Sequence, residues 1–276
     1  MIQAELRPRG PYSLQQSCGF ASDATRRFVD GVLTAQLPAG RACAWQQPDG
    51  IVVLRGENAA AVAELRWCLA LDDDHTEFLL RFRNDPLIGE ATRQLRGLRP
   101  LRVPTVAQSL LRAVAGQLIA AAEARRIERR VVGAVTERHG DLNAPPTCAD
   151  LAKLSPAQCQ RHGLGARRAA ALIRLCRSLE LERLKDVPSA AAAQRLLRER
   201  GLGPWSVGVV GIEGLGSYEH GLARDLGLVK LLAAMRGRRV EPEETDELLV
   251  PYGEWAGLAS VYMLKGFHRG LVPLAA

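Results

Sequence analysis

Apolar positions fall into two regimes along the chain. Up to about residue 71 they alternate or gather in short runs, which predicts mixed strand and helix. GVLTAQL (31–37), ACAWQ (42–46) and IVVLR (51–55) read as strands, the last two joined through Pro48-Asp49-Gly50. Asn58 is placed to cap a helix running AAAVAELRWCLAL, with Val62, Leu65 and Leu69 on one face. LDDDHTEFLLRFRNDP (71–86) opens with three Asp. Their spacing matches no calcium loop, and acidic residues suit a helix start, so they read as capping groups with His75 exposed in the first turn. RPLRVP, held between Pro100 and Pro104, reads as a linker.

From residue 103 the period becomes helical. Thr105 caps a helix through Leu110, Leu111 and Val114, Gly116-Gln117 interrupts it, and a second helix carries Ile127, Val131 and Val135. Asn143 to Thr147 reads as a loop, and residues 148–180 as two helices around His162-Gly163-Leu164-Gly165. That turn, followed by Arg167 and Arg168, reads as structural. Ser189 is a plausible cap for the helix entering LLRERGLGPWSVGVV, where Gly201-Leu202-Gly203 turns the chain and Pro204 opens the next helix. Two helices joined this way expose backbone N–H groups and a positive helix end, a ready anion site. Asp225 follows among Leu222, Leu226, Leu228 and Val229, placing one carboxylate in an apolar stretch soon after an anion-binding turn. Glu241 to Glu247 reads as a solvated acidic face.

Composition changes this picture little. With 276 residues, 47% hydrophobic and 24% charged, the chain has ample core for one large domain or two or three subdomains. It contains no run of about 20 uncharged apolar residues, the length a membrane-spanning helix needs. MIQAELRPRG lacks an apolar signal core, so a cytoplasmic protein is expected, nucleoid-associated if bacterial. The net charge of +7 favours polyanions. Of the 37 basic residues only Lys153, Lys185, Lys230 and Lys265 are Lys, which suits phosphate binding by Arg forks and equally a codon bias. Six scattered Cys form neither a C-x-x-C pair nor a metal-ligand series.

GLGPWSVGVV with LARDLGLVK resembles the helix-hairpin-helix DNA glycosylase superfamily, most closely its 3-methyladenine DNA glycosylase II branch. The likeness is strong from about 99 to 230 and looser elsewhere. PYSLQQSCGF resembles the family's opening segment and WAGLASVYMLKGF its final helix. The resemblance implies a mainly α fold with an N-terminal α+β subdomain (1–88, a small antiparallel sheet). A helical domain (89–276) follows, with the hairpin at about 196–212 and two helical subdomains flanking a DNA- and base-binding cleft.

The same resemblance implies the site. Asp225 would be catalytic, stabilising an oxocarbenium-like sugar and orienting or deprotonating a water. Arg200, Gly201, Leu202, Gly203 and Ser206 would bind DNA phosphate. Gln117 and Leu118 would form the wedge that fills the gap left by a flipped base, Leu118 otherwise reading as core. Trp205, Val209, Tyr262 and Phe267 would line the base pocket, Trp205 fitting core packing equally well. Relatives that also cleave the backbone carry a Lys where this chain has Trp205, which implies a monofunctional enzyme. The implied reaction is hydrolytic excision of 3-methyladenine- and 7-methylguanine-type bases from duplex DNA by a monomer without membrane contact. No cofactor or catalytic metal is implied, only a structural monovalent cation at the hairpin. Val209 stands where relatives often have an aromatic residue, Arg224 where an acid is common, and Gly257 and Ala259 where Pro and Arg are frequent. These departures keep open a glycosylase for oxidised or deaminated bases; a third reading is a helix-hairpin-helix DNA-binding protein without catalysis.

Overall fold

The computed structural model describes residues 1–19 and 21–273; Phe20, the last residue of the opening segment PYSLQQSCGF, and residues 274–276 lie outside the described residues. The alternating N-terminal segment forms five strands: β1 (Ile2–Leu6), β2 (Arg26–Val29), β3 (Val32–Leu37), β4 (Gly40–Gln46) and β5 (Val52–Gly56). They make one antiparallel sheet in the order β1-β5-β4-β3-β2. A short helix α1 (Leu14–Cys18) follows β1, and α2 (Ala59–Cys68) follows β5. Asn58 caps α2 as expected, accepting from the Ala61 N–H at 2.9 Å. One sheet face buries Leu33, Ala35, Ala44 and Leu54 with Leu65 and Leu69.

The helical part comprises α3 (Thr76–Arg81), α4 (Gly89–Gln94), α5 (Val106–Gly116), α6 (Ala121–Val135), α7 (Cys148–Ala152), α8 (Pro156–Arg161), α9 (Ala166–Ser178), α10 (Ser189–Leu197), α11 (Pro204–Val209), α12 (Leu226–Arg236), α13 (Glu244–Leu249) and α14 (Ala256–His268). α11 continues into a π-helical turn, Val210–Leu215. Two helical cores result. One joins residues of α5, α6, α7, α9, α10 and α11. The other joins α3, α4 and the segment to Leu98 with α12 and α14. The strand layer's own core reaches only to Leu71 and Leu101, so residues 78–88 pack with the C-terminal helices. Every residue of α5 from Val106 to Ala115 is buried, which makes it the central helix. No helix among the described residues is long and apolar enough to cross a membrane.

Four local expectations are corrected. His75 is only 2% exposed and packs edge-on against Tyr218, and burial pushes its imidazole down to about 4, so it is neutral near pH 7. Of the three Asp, only Asp74 caps α3, accepting from the Thr76 N–H; Asp73 instead pairs with Arg102 and takes the Tyr218 hydroxyl, and Asp72 pairs with Arg66. The first of the two helices expected over 148–180 is broken in two, because Ser155 starts a new capping box with Gln158. Pro188, not Ser189, occupies the cap of α10, and the Ser189 hydroxyl meets that of Ser217 at 2.5 Å.

Candidate active site and DNA interface

The turn between α10 and α11 is built as its glycines require. Gly201 has φ +97°, a conformation that side chains disfavour, and Leu202 is buried as the apolar anchor. Gly203 precedes Pro204, so the N–H groups at the start of α11 face outward with the positive helix end. Arg200 and Arg198 are exposed beside it. The carbonyls of Arg200 and Gly201 accept hydrogen bonds from Arg174 and Gln117. A monovalent cation at the hairpin would therefore share carbonyls already in use. Among the described residues no group of three or more His, Cys, Asp or Glu is placed to hold a metal ion.

Asp225 sits at the N-cap of α12. Its Oδ1 accepts from the Gly227 N–H at 2.7 Å and its Oδ2 from the Trp205 indole N–H at 2.8 Å. These two donors fix the carboxylate plane and leave further lone pairs for a substrate or water. Trp205 is itself seated by Gly116, where an added methyl group would approach the indole to 2.6 Å. The end of α5 must therefore be Gly to admit the ring that orients the carboxylate.

The loop after α5 carries Gln117 and Leu118. Gln117 donates to the Gly201 carbonyl at 2.8 Å and to the Ser206 hydroxyl at 3.1 Å, tying this loop to the hairpin. Arg168 donates to the carbonyls of Ala115 and Gln117. The second Gly-x-Gly turn, with Gly163 against Ile127 and Leu164 buried, sets that Arg in place. Between these anchors Leu118 is 89% exposed with φ +59°. A left-handed Leu costs roughly 1–2 kcal/mol, and leaving its side chain in water forgoes burial as well. Such strain persists only where the surroundings impose it, and it concentrates at functional sites.

Gln117, Leu118, Gly201, Gly203, Trp205, Ser206, Val209 and Asp225 line one open cavity of about 770 Å³. Three site expectations are corrected. Tyr262 lies outside the cavity, fully buried, with its hydroxyl donating to the carbonyls of Leu95 and Leu98. Phe267 packs on the C-terminal core and does not line the cavity. Ser206 is 2% exposed and its hydroxyl holds Gln117, so it is turned away from any phosphate. Arg224 does line the cavity, but its guanidinium pairs with Glu243 and Asp246, so the acidic run serves partly to neutralise it.

A buried charge network in the cavity wall escaped the sequence reading. Arg112 binds Asp23 at 2.8 Å and Glu128 at 2.7 Å, and also pairs with Glu213. Arg26 binds Asp23 from the other side at 2.9 Å. Burial alone would raise the Asp23 and Glu213 carboxyls, but the Arg112 charge, with Arg26 for Asp23 and Arg125 for Glu213, outweighs it and holds both below the usual range. Burial also pushes the Lys265 amine down to about 8. The available signal was a run of polar residues, Gln108, Ser109 and Arg112, on an otherwise apolar helix.

Carboxylates with depressed folded pKa values stabilise the protein above their unfolded values and lose that contribution as pH falls through the folded ones. The unfolded values here are near 3.8 for Asp23 and 4.5 for Glu213. Unfolded His75 also takes up a proton below about pH 6.5 that the folded imidazole refuses down to about 4, so the thermal midpoint is expected to decline from about pH 6.5 and more steeply below about pH 4.5. Scanning calorimetry across pH 3–7, with an Asp23→Asn control showing a shallower acid limb, checks this.

This is the fold of the helix-hairpin-helix DNA glycosylases, with an open, mainly apolar cavity between the hairpin, the loop carrying Gln117 and Leu118, and the Asp-capped helix. In sequence the chain is similar to the DNA-3-methyladenine glycosylase of Bacillus subtilis (strain 168), 27% identical over 206 residues that cover 71% of this chain and 68% of that protein. Its structure matches the 3-methyladenine DNA glycosylase from Archaeoglobus fulgidus at a TM-score of 0.80 and 19% identity, covering 97% of this chain and 98% of the other. It also matches the Clostridium acetobutylicum 8-oxoguanine glycosylase/lyase, in complex with double-stranded DNA containing cytosine opposite 8-oxoguanine, at a TM-score of 0.79 and 15% identity, covering 98% and 99%. At those identities the structural matches speak for the fold alone. No family model matches the chain.

Proposed function

We propose that this protein is a DNA repair glycosylase that flips alkylated bases out of duplex DNA and hydrolyses their N-glycosidic bonds. The observation that carries the reading is Asp225, held by the Trp205 indole and the Gly227 N–H in the cavity that Leu118 overhangs. The similarity to a DNA-3-methyladenine glycosylase supports alkylated bases as the substrate class.

In this reading the hairpin N–H groups and Arg200 grip the backbone, and those contacts position the duplex without reading sequence. Leu118 enters the stack as the damaged base leaves, offsetting part of the unstacking cost. Asp225 faces the sugar as the bond to the base lengthens, stabilises the positive charge developing at C1′ and orients the attacking water. An alkylated purine is already cationic and leaves readily, so the site needs no strong general acid. Trp205 occupies the position after the hairpin where a Schiff-base Lys would sit, so the product is an intact strand with an abasic site. The protein acts as a monomer on double-stranded DNA.

Base release from DNA carrying 3-methyladenine and 7-methylguanine, scored for strand breaks with and without alkali, tests this. Release with alkali-labile sites and no direct breaks supports it; direct breaks would replace it by a bifunctional enzyme. Leu118→Ala is expected to lower kcat/KM for duplex substrate about tenfold or more, the share of a few kcal/mol of unstacking that the wedge offsets. Its thermal midpoint should stay unchanged because the side chain is exposed. Equal rates on duplex for Leu118→Ala and the intact protein would remove Leu118 from the mechanism.

A further inference from the structure

Four basic residues line the cavity in front of Asp225: Arg112, Arg125, Arg224 and Lys230. Two are neutralised within the protein. Arg112 pairs with Asp23, Glu128 and Glu213, and Arg224 with Glu243 and Asp246. Arg125 has its Nη1 sealed from solvent in the wall. Lys230 differs from all three. It is exposed, and its amine makes no ion pair or hydrogen bond among the described residues.

The packing of α12 sets where that charge is presented. Leu228, Leu231 and Leu232 are buried on one side of the helix. Leu226 and Lys230, four positions apart and so on one face, are exposed and line the cavity with Asp225. Gly227 locks this setting. A methyl group added there would meet Leu264 at 2.5 Å and the Asp225 Oδ1 at 2.9 Å, so the first turn lies flush on α14. Lys230 stands about 7 Å along the helix axis from the Asp225 cap. The hairpin residues Gly201, Gly203 and Pro204 form a separate stretch of the same cavity's lining.

A nucleotide that brings its C1′ to Asp225 carries a phosphate on each side of its sugar. The hairpin grips the backbone from its own stretch of the rim and leaves the α12 side without a partner for the strand. Resting on the glycosylase reading above, we infer that Lys230 binds a backbone phosphate beside the flipped nucleotide and so holds its sugar against Asp225. A compact charge on a flexible four-carbon stem suits this task, because it can follow the phosphate as the strand is drawn in. The contact reads no base, so it serves every lesion the cavity admits.

The test measures binding of the full chain to a duplex that carries a stable abasic-site analogue, at salt concentrations from about 50 to 200 mM. Lys230→Gln is expected to reduce the slope of log K against log salt by about 0.9, the counter-ions of one phosphate. Over that fourfold rise in salt the intact protein should lose about three- to fourfold more affinity than the variant. Lys230→Arg should restore the slope. Lys153→Gln, an equal change of charge at a residue that pairs with Asp150 outside the cavity, should leave it as it is. Duplexes with one neutral methylphosphonate at a time on either side of the analogue then locate the contact: at one position Lys230→Gln should cost no further affinity. An unchanged slope for Lys230→Gln overturns the inference. So does a change that Lys153→Gln reproduces, or a Lys230 effect that persists on every methylphosphonate duplex. Base release from methylated duplex, run in parallel, keeps the two readings apart. Release with an unchanged slope strikes Lys230 alone, and a reduced slope without release of any base strikes the glycosylase reading.

Discussion

Asp225→Asn should bind duplex DNA as the intact protein does and release alkylated bases about 10²–10⁴ times more slowly, the range spanned by removing a positioned general base or a preorganised charge. The substitution is discriminating because of what Asn retains. Its side-chain oxygen can still accept from the Gly227 N–H, so the cap of α12 survives, as does the volume beneath Trp205. What it loses is the negative charge at the point where the sugar becomes positive, together with the acceptor for the Trp205 indole N–H, which would face the amide NH2. Single-turnover release from 7-methylguanine DNA, with binding to an abasic-site duplex measured in parallel, separates the two effects. A variant that keeps full activity would take the chemistry away from Asp225. One that loses binding and release together would assign Asp225 a structural role as cap and indole partner.

The largest expected stability change lies at Arg112. It is 7% exposed and faces three carboxylates, of which Asp23 and Glu128 have side chains only 1% exposed. Arg112→Met keeps the volume and removes the charge. Glu128 then retains Gln108 as its hydrogen-bond donor, and Asp23 retains Arg26. Breaking a buried pair from one side costs about 3–5 kcal/mol, because the remaining charge stays out of water without its partner. Urea unfolding should show a loss of that order with an unchanged slope. Restoring stability with Glu128→Gln in the Arg112→Met background would confirm that an unpaired carboxylate is the cause. A loss under about 1 kcal/mol would mean that Arg26 and Arg125 reorganise to take the charges over.

These two residues mark how far the chain could be read before its folding was known. Asp225 was legible because a Gly-x-Gly turn, Pro204 and an isolated carboxylate leave a local, ordered trace. The strands at 32–37, 40–46 and 52–56 were legible for the same reason, as were the caps at Asn58 and Thr105: a two-residue period, turn residues and capping side chains all act within a few positions. β1 was not singled out because it is short and its partner β5 lies about 50 residues on, and β2 because it has only four residues, although it forms a hairpin with β3 through Asp30-Gly31. Leu118 was legible as a position but not as a state, since nothing in the sequence reveals a left-handed backbone and an 89% exposed side chain.

What folding alone decided involves partners distant in the chain. Trp205 finds Asp225 twenty positions on, over a gap that Gly116 leaves open from a different helix. Arg112 gathers Asp23, Glu128 and Glu213 from three separate segments, and any of them read alone is an ordinary charged residue. Tyr262 has the chemistry of a stacking face, yet two carbonyls from the Leu95–Leu98 turn draw its hydroxyl into the core. Sequence by itself determined most of the elements, the caps at Asn58 and Thr105, and a Gly-x-Gly turn followed by a carboxylate, because those depend on interactions among near neighbours. The tertiary structure decided which side chains face the cavity and which charges pair with one another, because burial and pairing depend on whole elements meeting across the fold.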